Sequence, residues 1–383
     1  MRANEFEKIN TTAFKELMTP ELKKLGTVFN KAGHEIRLVG GVVRDLALKK
    51  FPKDVDLATD ANPNDVVELL NKNNIKNKPT GIEHGTITAI INKTPYEITT
   101  LRADKETDGR RAKVQFVKDW KQDAERRDLT YNAMSLDFKG KLYDYFGGMD
   151  DLQDKVSAFV GDPDERIKED FLRILRYFRF QSKLEDPKWD QNTIKAIANN
   201  ADDLKRISVE RVWSELKKML VSRNVEESLR YMGQTGVAKA IDLPVENASM
   251  IKRLAKTDDP IVPLAVLVDD ITLADTWKMS KEETQLLRFL IQNKKTSLTK
   301  ESAIDFIHDG YSKKMVLDLI NLQGKKALDD VIRNYEAPQF PVQGRDLIAK
   351  GMKPGVDVGR QLAQLRDKWK ASGYKLSKDQ LLR

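Results

Sequence analysis

The stretch "EIRLVGGVVRDLALKKFPKDVDLATD", residues 35–60, holds the signals that decide the fold. "EIRLV" is a short apolar run of strand character, Gly40-Gly41 ends it, and "VVRDLALKK" continues at helical spacing. "DVDLA" then returns to alternating acidic and apolar side chains. Strand, tight turn, helix and strand in immediate succession build a layered unit of helix on sheet. Downstream, "NPNDVVELLNK" opens a helix behind an Asn-Pro start, and "GTITAII", "YEITTLR" and "AMSLDF" read as further strands. The first 150 residues predict an α+β head with a mixed sheet.

After "YDYFGGMDDLQDK" (143–155), where Gly147-Gly148 marks a turn, nearly every segment reads as helix. "DERIKEDFLRILRYFRFQSK", "VERVWSELKKMLVS", "KEETQLLRFLIQNKK" and "GRQLAQLRDKWKAS" each place apolar residues three and four apart. A long all-α array follows the head. At 383 residues, with 40% apolar and 33% charged side chains, the chain is long enough for several modules. No apolar run approaches the roughly 20 residues of a membrane span, so no membrane insertion is expected.

The absence of cysteine excludes disulfides, thiolate nucleophiles and Cys-ligated zinc, and fits a reducing compartment. The three histidines, His34, His84 and His308, are dispersed, which argues against His-rich metal sites and a His-Asp phosphohydrolase. The N-terminus lacks the apolar core of a secretory signal. Net charge is +8, and Pro341–Arg383 alone carries ten Lys/Arg against four Asp/Glu, a surplus of +6. That distribution points to a polyanionic partner, with a solvated helix surface as the plainer alternative.

The two acids of "KDVDL" focus the chemistry. In a strand, Asp54 and Asp56 leave the same face about 6–7 Å apart while Val55 points to the core. Such a pair can share Mg²⁺, which activates an attacking hydroxyl and neutralises a leaving phosphate. Alone, D-x-D also fits a strand that simply ends at the surface. The preceding Gly40-Gly41 lets backbone N–H groups approach phosphate at a helix start, and Arg44 on the first turn can clamp it bidentately. Neither a dinucleotide-binding G-x-G-x-x-G nor a P-loop is present, so the phosphate reading rests on the combination.

On a helical wheel of "ERIKEDFLRILRYFRF", Ile167, Phe171, Ile174, Leu175 and Phe178 form one core-facing stripe. Asp170, Arg173 and Arg176 lie away from it, with Arg179 around the side. Asp170 and Arg173, three apart, set acceptors beside donors. Cytosine presents its amino group next to an acceptor, and adenine does the same. Uracil and guanine reverse the order, leaving buried polar groups unpaired at about 1–3 kcal/mol each.

The glycines, arginine and paired acids, followed by "ERRDLTYNAMSLDF" and "EDFLRILRYFRF", make the whole chain resemble the class II tRNA nucleotidyltransferases, the CCA-adding enzymes of the DNA polymerase β superfamily. The resemblance implies a nucleotidyltransferase head (1–150), then an all-α neck (151–220), body (221–290) and tail (291–383). It implies Asp54 and Asp56 as catalytic, metal-binding acids, Mg²⁺ as cofactor, and Gly40, Gly41, Arg44 and Arg127 as nucleotide-binding. Glu97 is a candidate third acid on a neighbouring strand. The pattern R-R-D-x-T-x-N is complete, with Asp128, Thr130 and Asn132 in place, and regular geometry lets only Arg127, not Arg126, face the ligand. Asp170 and Arg173 would read the base, with Arg176 and Arg179 supporting it or contacting phosphate. The loop "ETDGRR" (106–111), with Arg110 a further candidate, would take part in the switch from C to A.

The expected activity is template-independent addition of CCA to tRNA 3′ ends from CTP and ATP. A bacterial-type poly(A) polymerase, a CC-adding or an A-adding enzyme are close alternatives, and a non-catalytic RNA-binding protein is one from another class. The chain ends at Arg383 without a long basic extension, which speaks against polyadenylation. The expected compartment is the cytoplasm, or the mitochondrion in a eukaryote. A monomer and a homodimer are equally compatible with the sequence.

Overall fold

A computed structural model describes residues 8–107 and 112–383. The described chain parts into two compact units, Met1–Lys252 with Asp275–Met279, and Arg253–Ala274 with Ser280–Arg383. The first begins with helices α1 (Thr12–Leu17) and α2 (Pro20–Lys31), the latter started by Pro20 and by Thr19, whose hydroxyl accepts from Leu22 N. The strand, turn, helix and strand then follow as the sequence predicts: β1 (Ile36–Val39), α3 (Gly41–Ala47) and β2 (Asp56–Thr59).

Helix α4 (Pro63–Lys72) precedes β3 (Lys76–Gly81), β4 (Thr86–Ile91) and β5 (Thr94–Thr100). A separate ribbon, β6 (Arg102–Thr107) with β7 (Ala112–Phe116), leads to α5 (Trp120–Glu125), and β8 (Ser135–Leu136) and β9 (Leu142–Tyr143) return to the main sheet. The sheet order is β3-β4-β5-β2-β1-β8-β9. Only β2 and β5 run parallel, so the sheet is mixed. Among the described residues no strand follows Tyr143.

Register explains why one face is core and the other carries chemistry. Ile87, Ile98, Leu57, Leu38, Leu136 and Leu142 pair strand to strand in a single row, each at most 3% exposed. Burying each such side chain is worth about 1.5–3 kcal/mol, and a one-residue slip of any strand would turn its apolar set outward. One position along, Asp56 pairs with Glu97, so both acids rise from the same face. Asp54 sits in a bend just before β2, exposed, and Val55 is half-buried, so the ladder takes in only the second acid of the D-x-D pair. The ladder begins only where Asp56 meets its partner on β5.

Beyond α6 (Gly148–Asp154) come α7 (Pro163–Glu169), α8 (Leu172–Gln181), α9 (Gln191–Asn200) and α10 (Val209–Leu220). The single helix predicted across "DERIKEDFLRILRYFRFQSK" is broken at Asp170, whose backbone is extended (φ −155°, ψ 105°). Its carboxylate accepts from Leu172 N at 3.1 Å, a cap that competes with continuing the helix. The apolar stripe survives, because Ile167, Phe171, Ile174, Leu175 and Phe178 are all buried.

The second unit is helical. Lys281–Asn293, Lys300–His308 and Lys313–Gln323 pack around Phe289, Phe306 and Tyr311, and Val342, Leu347, Val358, Leu365, Trp369 and Leu381 form a further small core. No helix among the described residues is long and apolar enough to cross a membrane.

Gly148 fixes how α6 meets the R-R-D-x-T-x-N segment. A Cβ there would lie 2.5 Å from the Thr130 carbonyl oxygen and 2.7 Å from Tyr131 Cα, backbone atoms that cannot swing aside. Gly148→Ala is expected to lower unfolding free energy by about 1–3 kcal/mol in chemical denaturation.

Candidate active site

A cleft of about 770 Å³ lies within the first unit, lined by Gly40, Gly41, Arg44, Asp54 and Asp56 together with Arg126, Arg127, Asp128 and Asn132. Asp170, Arg173, Arg176 and Arg179 line it too, so residues of "GGVVRD", "KDVDL", "RRDLTYN" and "EDFLRILRYFRF" converge on one space. Glu97 is not among the lining residues, although it stands in register with Asp56. Arg110 lies outside the described residues.

Gly40 turns the chain from β1 into α3 with φ 73°, a left-handed backbone that favours glycine. An added Cβ would come within 3.0 Å of Arg127 Nη1, so the glycine also admits the arginine. Arg44 Nη1 donates to Asn132 Oδ1 at 2.9 Å, while its Nη2 pairs with Asp45 at 2.7 Å. Asn132 in turn donates to Asp128 Oδ1 at 3.2 Å.

Asp128 is only 7% exposed. It accepts from Leu129 N at 2.8 Å and from Arg176 Nε at 2.6 Å. Burial works against its charge, but the Arg176 guanidinium and these hydrogen bonds outweigh it and hold the carboxyl below its ordinary range. Asp128 is thus a buried strut, joining the sheet side of the cleft to α8.

Arg126 and Arg127 both reach the cleft, contrary to the expectation that only Arg127 would. Helix α5 ends at Glu125, and the two guanidiniums straddle the buried Asp123, which pairs with Arg126 at 2.9 Å and Arg127 at 3.2 Å. Regular geometry ends just before the pair, which frees both. Their carbonyls are used as well: Arg126 O accepts from Arg173 Nη2 at 3.0 Å and Arg127 O from Arg166 Nη2 at 2.8 Å.

Glu169 completes that bridge, pairing with Arg166 and Arg173 at 2.6 Å each. Asp170 Oδ2 accepts from Arg211 of α10 at 2.7 Å. Asp170 and Arg173 therefore do not share a helical face; each is held by separate partners on either side of the break. Arg179 pairs with the buried Glu215 at 2.8 Å. Asp123, Arg166, Arg211 and Glu215 were not legible as site residues, and only the acid of the "ED" dipeptide, Glu169, carried a local signal.

The acid corner is charge-rich. Burial, the Glu97 carboxylate and, more weakly, Asp54 push the Asp56 carboxyl up, with Arg127 opposing them. Carboxylates are the oxygen donors that Mg²⁺ takes, and a divalent cation would relieve that accumulated negative charge. Among the described residues no group of three or more His, Cys, Asp or Glu side chains is arranged to hold a metal by itself. Asp54 and Asp56 would be joined by substrate phosphate and water, as is usual for Mg²⁺.

A mixed sheet that presents acids opposite a glycine turn and an arginine-rich helical wall defines a nucleotidyltransferase. The comparisons make the class specific. A family model described as the poly A polymerase head domain matches residues 36–157, and one described as a probable RNA- and SrmB-binding site of polymerase A matches residues 188–244. Human mitochondrial CCA tRNA nucleotidyltransferase 1 is 41% identical over 98% of this chain and 92% of its own length. The fold is shared with the Bacillus stearothermophilus CCA-adding enzyme in complex with CTP (TM-score 0.78, 23% identity, 95% of this chain and 94% of that one). It is also shared with the Thermotoga maritima CCA-adding enzyme complexed with tRNA (TM-score 0.67, 21% identity, 98% and 97%). The chain belongs to the class II tRNA nucleotidyltransferases, the CCA-adding enzymes.

Replacing Asp128 leaves Arg176 facing a neutral partner in a nearly closed setting. Asp128→Asn is expected to cost about 3 kcal/mol in urea unfolding at neutral pH. Because the folded carboxyl is held below its unfolded value, the gap to wild type is full at neutral pH. It should close as pH falls through the depressed value.

Proposed function

We propose that the chain adds cytidine, cytidine and adenosine in turn to the 3′ end of tRNA without a nucleic-acid template, consuming CTP and ATP and releasing pyrophosphate. The observation that carries this reading is the two-sided cleft, with Asp54, Asp56 and the glycine turn on one side and Asp170, Arg173, Arg176 and Arg179 on the other. The tRNA 3′-oxygen attacks the α-phosphorus, a P–O bond forms there, and the bond to the bridging oxygen breaks as pyrophosphate leaves. Asp54 and Asp56 would hold Mg²⁺, which would supply a lowered pKa for the attacking hydroxyl and charge neutralisation at the triphosphate. Arg44, Arg126 and Arg127 orient the nucleotide, and Gly40-Gly41 let it approach the backbone closely.

Side chains replace a template strand. Each Asp170 oxygen has accepted one hydrogen bond, leaving lone pairs free for a base amino group. Arg173 has spent three N–H groups on Glu169 and two carbonyls, so Nε–H and one Nη2–H remain for a ring nitrogen. That order of acceptor and donor suits cytosine and adenine and mismatches uracil and guanine. Because both side chains are fixed before the nucleotide arrives, little ordering cost falls on recognition.

Labour divides along the chain: head (1–150) for transfer, neck (151–220) for the base, body (221–290) as support, and tail (291–383) for tRNA. The +6 surplus of Pro341–Arg383 supports a phosphate-directed, salt-sensitive grip on structured RNA. The work is done in the cytoplasm or, as in the case of the human relative by its name, in the mitochondrion.

The deciding assay offers tRNA lacking its 3′ end with CTP and ATP, separately and together. The expected product is CCA and stops there; continued A addition would replace this reading with poly(A) synthesis. Asp56→Ala is expected to abolish incorporation while tRNA binding persists. Asp170→Ala and Arg173→Ala should raise UTP and GTP use relative to CTP and ATP by roughly tenfold to a hundredfold in competition assays.

A further inference from the structure

The chain reaches the acid corner through a loop to which the chemistry above gives no task. Helix α3 ends at Ala47, β2 begins at Asp56, and the connection "LKKFPK" (48–53) carries three lysines and no acid. Phe51 stands within it, 59% exposed, and no other aromatic ring among the described residues is as open to solvent. One exposed apolar side chain needs no explanation by itself. Its neighbours give this one a meaning. Pro52 is buried and anchors the loop between exposed Phe51 and exposed Lys53, and Lys53 and Asp54 line the cleft. Lys49, Lys50 and Lys53 are all exposed and have no ion pair among the described residues. Their position just after the C-terminus of α3 accounts for Lys49 and Lys50, because cations are favoured there. It accounts for neither Phe51 nor Lys53.

We propose that this loop is the landing for the unpaired 3′ end of the tRNA acceptor, with Phe51 stacked on a base next to the reacting terminus and the lysines on the phosphates that flank it. This rests on the nucleotide-transfer reading of the cleft and says where the second substrate lies. The attacking 3′-oxygen has to reach Asp54 and Asp56, so the nucleotides just before it cross the rim beside those acids. The chain immediately before Asp54 is this loop. The incoming nucleotide is not the occupant, because Phe51 lies outside the residues that line the cleft, whereas Asp170 and Arg173 stand inside it.

An unpaired strand end presents what the loop accepts, open base faces for a ring and phosphates for ammonium groups. A duplex hides its base faces in the stack, and an acidic peptide would use the lysines but leave the ring idle. Stacking also reads no base edge, so it tolerates any base. An acceptor that is lengthened by C, C and A needs that tolerance, since its last base changes between additions.

Binding of tRNA that lacks its 3′ CCA and carries 2-aminopurine as its last nucleotide tests this on the full chain. Stacking should quench the probe on wild type and on Phe51→Trp, while Phe51→Ala and Phe51→Leu, the latter apolar but without a π face, should leave it bright. In steady-state addition both of these variants should raise KM for tRNA by about tenfold and leave KM for CTP unchanged. Lys49→Gln combined with Lys50→Gln should lower the slope of log affinity against log salt by about 1.4, the share of two single-strand phosphates. Quenching that persists in Phe51→Ala, an unchanged salt slope, or a Phe51→Leu variant that handles tRNA as wild type does overturns the proposal, the last by assigning the exposed side chain to an apolar protein contact. CCA addition by a wild type that leaves the probe bright removes this landing alone. Failure of wild type to bind the labelled tRNA removes the tRNA reading with it.

Discussion

A buried carboxylate couples the two halves of the site. Asp128 accepts from Arg176 on α8 and from Asn132, and Asn132 accepts from Arg44 on α3. Through this chain the helix after the glycine turn, the 3₁₀ turn Thr130–Asn132 and the arginine wall share one hydrogen-bonded path. Its cost is desolvation, which Asp128 meets with an arginine, an asparagine and a backbone amide. If the pair were lost, the glycine-turn side and the helical side of the cleft would no longer be held at a fixed separation.

The same economy governs Asp170 and Arg173, the residues proposed to read the base. The break at Asp170 costs helix hydrogen bonds but frees a carboxylate from the helical surface, and Arg211 and Leu172 N then fix its direction. Glu169 holds Arg173, and the carbonyls of Arg126 and Arg127 tie this corner back to the head. Position is thereby set by contacts outside the ligand, as selectivity between similar bases requires.

Much of the fold was legible because it follows from period and turn chemistry. The unit of residues 35–60 was read from an apolar run, Gly40-Gly41 and a helical spacing, and the buried row through Leu38 and Leu57 bears that out. The stripe from Ile167 to Phe178 was equally clear, but periodicity could not reveal the break, since Phe171 stays in phase across it. Asp54 was misplaced for a related reason: D-x-D spacing is the same whether the ladder starts at the first acid or the second, and only pairing with Glu97 decides. Arg126 was excluded by assuming regular backbone where α5 had already ended. Asp123, Arg211 and Glu215 were invisible because their role depends on contacts with other elements.

Charge is allocated differently on the two walls of the cleft. Arg166 and Arg173 share Glu169 and Arg211 pairs with Asp170, so each cation of that corner is directed by an acid, an arrangement suited to fixing hydrogen-bond direction. Around Phe180 the cations outnumber their acids: Arg44, Arg176 and Arg179 have Asp45, Asp128 and Glu215, and Lys183 has no ion pair among the described residues. Unshared cations therefore stand around Phe180, and directed, acid-held ones at the break in the helix, so the two walls of one cleft differ in how firmly their charges are held.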